Sequence, residues 1–158
     1  MRLGYLATST VLGSVVALAV ACATTSQPTM STADAIAARQ KLMKEQGAAM
    51  KAIGDKVKAG QQQAIGPEAQ KLAETSKRIT ALFPPGSLDP ATSRAKPEIW
   101  QNWAKFEGDA KALESKATQL AATAPAGSPA ATSAAVADLG KTTCGACHDS
   151  FRGPEIKK

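Results

Sequence analysis

The residues best equipped for chemistry are Cys144-Gly145-Ala146-Cys147-His148, near the C-terminal end of the sequence. Cys-x-x-Cys-His is the attachment pattern of a c-type haem. Haem carries two vinyl groups on neighbouring pyrroles, and two thiols facing one edge of the ring can add across them as thioethers. On a helix, Cys144 and Cys147 lie three positions apart and share a face. His148, next to Cys147, then brings its imidazole beneath the ring as the proximal iron ligand. Other uses of these residues fit less well. A thioredoxin-like dithiol wants a βαβ setting, and no strand pattern flanks the motif. A structural zinc site wants four ligands, but the chain offers one His and one other Cys, the distant Cys22. A disulfide inside the motif would leave the adjacent His without a role. The expected cofactor is one covalent haem c.

Four helices are expected to position this motif. The 158 residues suit one domain, and the Ala-rich composition, without long β-branched runs after the first twenty residues, favours helix. The first helix starts near Ser31 or Thr32, with Asp34 in its first turn, and ends near Gly60. Ile36, Met43, Met50 and Val57, with Arg39, Gln46 and Ile53 between them, read as its bundle-facing seam. Gly66-Pro67 opens the second helix, whose stripe is Ala69, Leu72, Ser76, Ile79 and Leu82, and which stops at Phe83-Pro84-Pro85-Gly86. Residues 84 to 96 form a long loop of the kind found at functional rims. Pro97-Glu98 opens the third helix, with the seam Ile99, Trp103, Phe106, Ala110, Leu113, Ala117 and Leu120. Trp100, beside that seam, covers the haem edge or caps the core. Ser128-Pro129 starts the last helix, which runs through Val136 and Leu139 into the haem motif, with Gly140 placed for a close approach. These elements predict an all-α, antiparallel four-helix bundle. Aromatic residues are scarce, so the haem is expected to fill much of the core.

Residues 1 to 23 have the layout of an export signal: Arg2, the apolar stretch Val11 to Ala21, and the small-x-small pattern Ala19-Val20-Ala21. Two endings stay open. Cleavage after Ala21 would expose Cys22 for a lipid anchor, although Ala19 stands where such signals usually carry Leu. Ordinary cleavage near Ala21 or Ala23 would leave Cys22 without that use. Residues 24 to 31 read as a flexible leader, 32 to 152 as the bundle domain and 153 to 158 as a tail. Either ending places the protein in the periplasm, free or lipid-anchored. The net charge of +6 falls to +5 once Arg2 is removed. Such a surplus can steer an acidic protein partner. The basic residues are interspersed with acids, which is no nucleic-acid footprint.

From residue 32 to 152 the chain resembles the class II c-type cytochromes, the cytochrome c-prime group. The resemblance rests on the C-terminal Cys-x-x-Cys-His in a helical chain, on Arg39-Gln40-Lys41-Leu42-Met43, on Phe83-Pro84, on Pro97-Glu98-Ile99-Trp100 and on Cys144 to Arg152. It implies that the first helix covers the distal haem face and that Met43 points at the iron. The run from Met43 to Met50 looks more like the low-spin branch, in which a Met thioether is the sixth ligand. Arg39 matches a family residue that meets a haem propionate, and Arg152 a family Arg near the proximal His. Homodimers through the first two helices are common in the family.

A thioether is a competent iron ligand, though Met is also a common core filler, and Met50 is expected to be core. Arg39 on an inner seam calls for an anion, a propionate or a carboxylate on a neighbouring helix. No general acid, base or nucleophile is apparent, so no enzymatic activity is expected. The first functional expectation is a periplasmic carrier of single electrons with His148/Met43 ligation and acidic redox partners. The alternative is a five-coordinate, high-spin protein that binds NO or CO at an open distal site.

Overall fold

The computed structural model describes residues 30 to 156. The expected export signal, the Cys22 anchor site and nearly all of the leader lie outside the described residues.

Helix α1 spans Thr32–Lys58. Ser31 caps it, its Oγ accepting from the Asp34 N–H at 3.1 Å. It ends where Gly60 takes a positive φ of 73°, a conformation that costs glycine least. Its buried face is Ala35, Arg39, Leu42, Gln46, Ala49 and Ile53, with Ile36 at the edge. Of the expected seam, Ile36, Arg39, Gln46 and Ile53 are buried, whereas Met43, Met50 and Val57 are not. Met43 and Met50 lie roughly 60–80° round the helix from the centre of that face, and both, like Val57, are half-buried.

Helix α2 spans Gly66–Ser76 and carries Pro67 in its first turn. It stops earlier than its stripe suggests. The Thr75 and Ser76 hydroxyls donate back to the Lys71 and Leu72 carbonyls, a bonding pattern that competes with helix continuation. A turn and a short 3-10 segment, Thr80–Leu82, still bury Ile79 and Leu82. Between α1 and α2, Gln46 donates to Thr75 Oγ1 at 3.3 Å and Lys56 pairs with Glu68 at 2.7 Å.

The Lys56 ammonium holds the Glu68 carboxyl below its usual range. A carboxyl with a depressed folded-state pKa stabilises above its unfolded value and loses that contribution as pH falls through the folded one. Glu68→Gln should therefore lower the urea midpoint at pH 7 by the equivalent of about 0.5–1 kcal/mol and make little difference at pH 3. Equal loss at both pH values would exclude the ion pair as the cause.

Pro97 leads into α3, Glu98–Gln101, and α4 spans Trp103–Thr123. The sequence predicts one helix here. Asn102 breaks it, with φ −123° and ψ 47°, and its side chain donates to the Glu98 carbonyl at 3.4 Å. Beyond the break the seam resumes as expected at Phe106, Ala110, Leu113, Ala117 and Leu120. Trp103 is turned out to 37% exposure, which corrects its placement on the inner seam. Trp100 settles as a core anchor: its indole N–H is shared between the carbonyls of Phe83 (3.1 Å) and Pro84 (3.2 Å).

Ser128 caps α5, Pro129–Leu139, and α6 spans Ala146–Phe151. The two are joined by a π-helical turn, Gly140–Gly145, within what the sequence predicts as uninterrupted α-helix. A Cβ added at Gly140 would meet only Met50 Cε, at 3.7 Å, so no close approach demands a glycine there.

The four rods α1, α2, α3–α4 and α5–α6 form an antiparallel four-helix bundle. Helix α2 packs against α1 and α4, and α5 against α4 and α1. Residues 94 to 96 pair antiparallel with 151 to 153: Lys96 N donates to Phe151 O at 3.1 Å and Gly153 N to Arg94 O at 2.7 Å. That pairing ties the C-terminal end of α6 to the long loop.

Candidate haem site

The bundle holds a partly open cavity of about 480 Å³ lined from α1, the 83–95 segment, α3, α4 and the last helix. Cys144, Cys147 and His148 all reach it, as do Met43, Arg39 and Arg152. The structure thus gathers every site residue expected from the sequence at one cavity. Cys144 comes from the π-turn and Cys147 from α6, and both are free, half-buried thiols. Burial, with smaller contributions from Arg152 and Arg94, holds the His148 imidazole below its usual range. The neutral ring is the form that ligates a metal. Burial, reinforced by Asp109, pushes the Cys147 thiol up to about 11, so it carries its proton at neutral pH.

The expected seams already supply Gln46, Ile79, Ile99, Phe106, Ala110 and Leu113 to the cavity wall; sequence reasoning missed the roles of Phe83 and Phe151 there. Phe83, Phe106 and Phe151 supply the wall's aromatic part. Phe106 is the hub, edge-on to Phe83 at 4.8 Å and to Phe151 at 5.4 Å between centroids. Such contacts stabilise by about 0.5–1.5 kcal/mol each beyond area burial. Phe151 falls four residues after Cys147, on the same helix face, and that spacing was the available signal. The loop residues Ser93, Arg94 and Ala95 also line the cavity.

Arg39 is 3% exposed. Its guanidinium donates to Ser87 Oγ (3.1 Å), Ser87 O (2.8 Å) and Ser93 Oγ (2.8 Å), and lies over the Phe83 ring at 4.8 Å. No carboxylate pairs with it among the described residues, so loop oxygens stand where the alternative reading put an acid of a neighbouring helix. These bonds leave part of the five-donor fork free. Arg152 N–H donates to the His148 carbonyl at 3.0 Å, which places this residue beside the His148 backbone. Met50 packs on the core and does not line the cavity, as expected.

The donor set suits haem. Two thiols and an imidazole stand on one wall of a mainly apolar cavity, with the cations Arg39, Arg94 and Arg152 available for two propionates. Among the described residues, no cluster of three or more His, Cys, Asp or Glu offers a protein-only metal site. Fold and site together define a haem-attaching helical bundle.

The comparisons carry this further. The family model "Cytochrome C'" matches residues 34–152. A cytochrome c' of Rhodopseudomonas palustris is 32% identical over 124 residues, covering 75% of this chain and 82% of that protein. A cytochrome c-556 of Agrobacterium tumefaciens is 33% identical over 118 residues, covering 72% and 93%. Among solved structures, a ferrous variant of cytochrome c prime from Alcaligenes xylosoxidans with bound NO superposes with a TM-score of 0.69 at 27% identity, covering 79% of this chain and 98% of that one. The chain belongs to the cytochrome c' family and, as a member, carries a single covalent haem c.

Proposed function

We propose that this chain is a periplasmic haem protein in which His148 is the only protein ligand to iron and the α1 side of the cavity admits a small neutral diatomic, NO or CO. When bound, the haem supplies an iron centre able to take such a ligand. The chain's own residues attach it through Cys144 and Cys147, hold it from below through His148 and wall the distal side. The supporting observation is the makeup of the cavity as a whole, whose lining, with Met43, Phe83 and Phe106, is mostly apolar. Such surroundings favour neutral diatomics over water and anions. The NO-bound cytochrome c prime of Alcaligenes xylosoxidans points the same way.

A second reading has its own observation. The Met43 thioether lines the same cavity as His148, and a thioether is a competent sixth ligand. That reading makes the protein a single-electron carrier serving acidic partners. Absorption spectra separate the two. The gas-binding reading expects a high-spin ferric spectrum, a rapid shift with NO on reduction, and little change in Met43→Ala. A weak far-red band that vanishes in Met43→Ala would establish the electron carrier instead. Export, expected from residues 1 to 23, accords with both, because c-type haem is attached after export. Homodimerisation is a further expectation, checked by sedimentation of the holoprotein.

A further inference from the structure

The π-turn at Gly140–Gly145 is the one departure from α geometry inside the haem-bearing helix, and it contains Cys144. Single π-turns are uncommon and concentrate at functional sites. This one is pinned by side chains. Thr142 Oγ1 donates to the Asp138 carbonyl at 2.7 Å, and Thr143 Oγ1 to the Leu139 carbonyl at 2.6 Å. In an unbroken α-helix those carbonyls would accept from the N–H groups of residues 142 and 143. The hydroxyls take that place and release the amides to a wider turn. From α4, Lys116 donates to Thr142 Oγ1 at 2.7 Å and pairs with the Asp138 carboxylate, bracing the turn from outside. Thr143 itself is 2% exposed, lines the cavity and lies 3.8 Å from Cys144 Sγ.

The turn changes where Cys144 points. Five residues of α-helix advance about 500°, which would leave Cys144 roughly 140° away from the buried Leu139 face. A turn closed by i to i+5 bonds brings residues five apart to nearly the same side. Leu139 is 1% exposed and belongs to the core, so this register carries Cys144 inward to join Cys147 and His148 at one cavity.

We propose that Thr143 is a positioning residue for the Cys144 thioether, supported by Thr142 and Lys116 through the same turn. The step it serves is a simple addition. The Cys144 S–H and the vinyl π bond break, a C–S bond forms at one vinyl carbon, and the hydrogen ends on the other; nothing leaves and no electrons are exchanged. The proposal rests on covalent haem attachment and is independent of whether Met43 ligates iron.

The test uses the full chain, produced where haem attachment operates. Holoprotein is denatured and alkylated, and modification is mapped to Cys144 or Cys147. The pyridine haemochrome band counts unsaturated vinyls, and Soret-band circular dichroism of the folded protein reports how the haem is seated. In Thr143→Val, alkylation at Cys144 alone is expected to rise several-fold with a red-shifted haemochrome, or the Soret dichroism to change markedly; Thr143→Ser should restore the wild-type pattern. Lys116→Met should move the same readouts in the same direction by less, and it serves in place of Thr143→Val should that variant yield no holoprotein. Wild-type attachment and dichroism in both Thr143→Val and Lys116→Met overturn the proposal. So does equal alkylation at Cys144 and Cys147, which marks general misfolding. Wild-type protein lacking haem altogether would refute covalent attachment itself, a different failure.

Discussion

Replacing Cys144 and Cys147 together by alanine is expected to cost the protein its cooperative fold. The cavity left without haem is about 480 Å³. Without haem the apolar wall of that cavity loses its packing partner, in a domain whose entire stability is about 5–15 kcal/mol. Water entering the cavity reduces that loss but cannot replace apolar contact with Phe83, Phe106 and Phe151. The double variant should keep much of its helical circular dichroism at low temperature yet lose a sharp thermal transition. A transition as sharp, and at the same temperature, as the holoprotein's would mean that the helices alone hold the bundle together.

Arg39→Met should destabilise the holoprotein by about 3 kcal/mol, because the substitution removes a charged donor from the two buried oxygens of Ser87 and leaves Ser93 Oγ only the Ala95 N–H. Arg39→Lys should recover little of this, since an ammonium cannot span the same three acceptors in one plane while lying over the Phe83 ring. The damage should be local as well as global. Residues 87 and 93 sit in the long loop, so limited proteolysis should cut within 84 to 96 faster in the variant. A loss below about 1 kcal/mol by urea unfolding, with the loop as resistant as before, would show that the guanidinium only lies alongside the loop.

Much of the site was legible because it depends on local spacing. The haem motif is five consecutive residues, and the Ser31 and Ser128 caps act within a single turn. The α4 seam from Phe106 to Leu120 also followed its periodicity. What escaped the sequence depends on partners far along the chain or on a competition between nearly equal local structures. Arg39 meets residues 48 and 54 positions away, and no local pattern identifies them. The same Thr residues that pin the π-turn are acceptable in an α-helix, and the choice between the two falls partly to Lys116, on another helix. Trp103 fitted the seam by counting, but a single residue, Asn102, reset the phase. On α1, two seven-residue series compete for the interior, and packing against α2 selects the one through Leu42 and Ala49 and leaves Met43 turned to the cavity.

The interruption at Asn102 also gives the molecule two dissimilar fluorophores three residues apart. The Trp100 indole is half-buried and fixed to two backbone oxygens, whereas the Trp103 ring meets solvent. Trp103→Phe would leave an emitter that senses the junction of the 84–96 loop with the core, and Trp100→Phe one that senses the outer surface of α4. Each single-tryptophan protein would then follow a separate stage of refolding through quenching of its ring by the haem, since Phe83 and Phe106, which line the cavity, lie against Trp100 and Trp103.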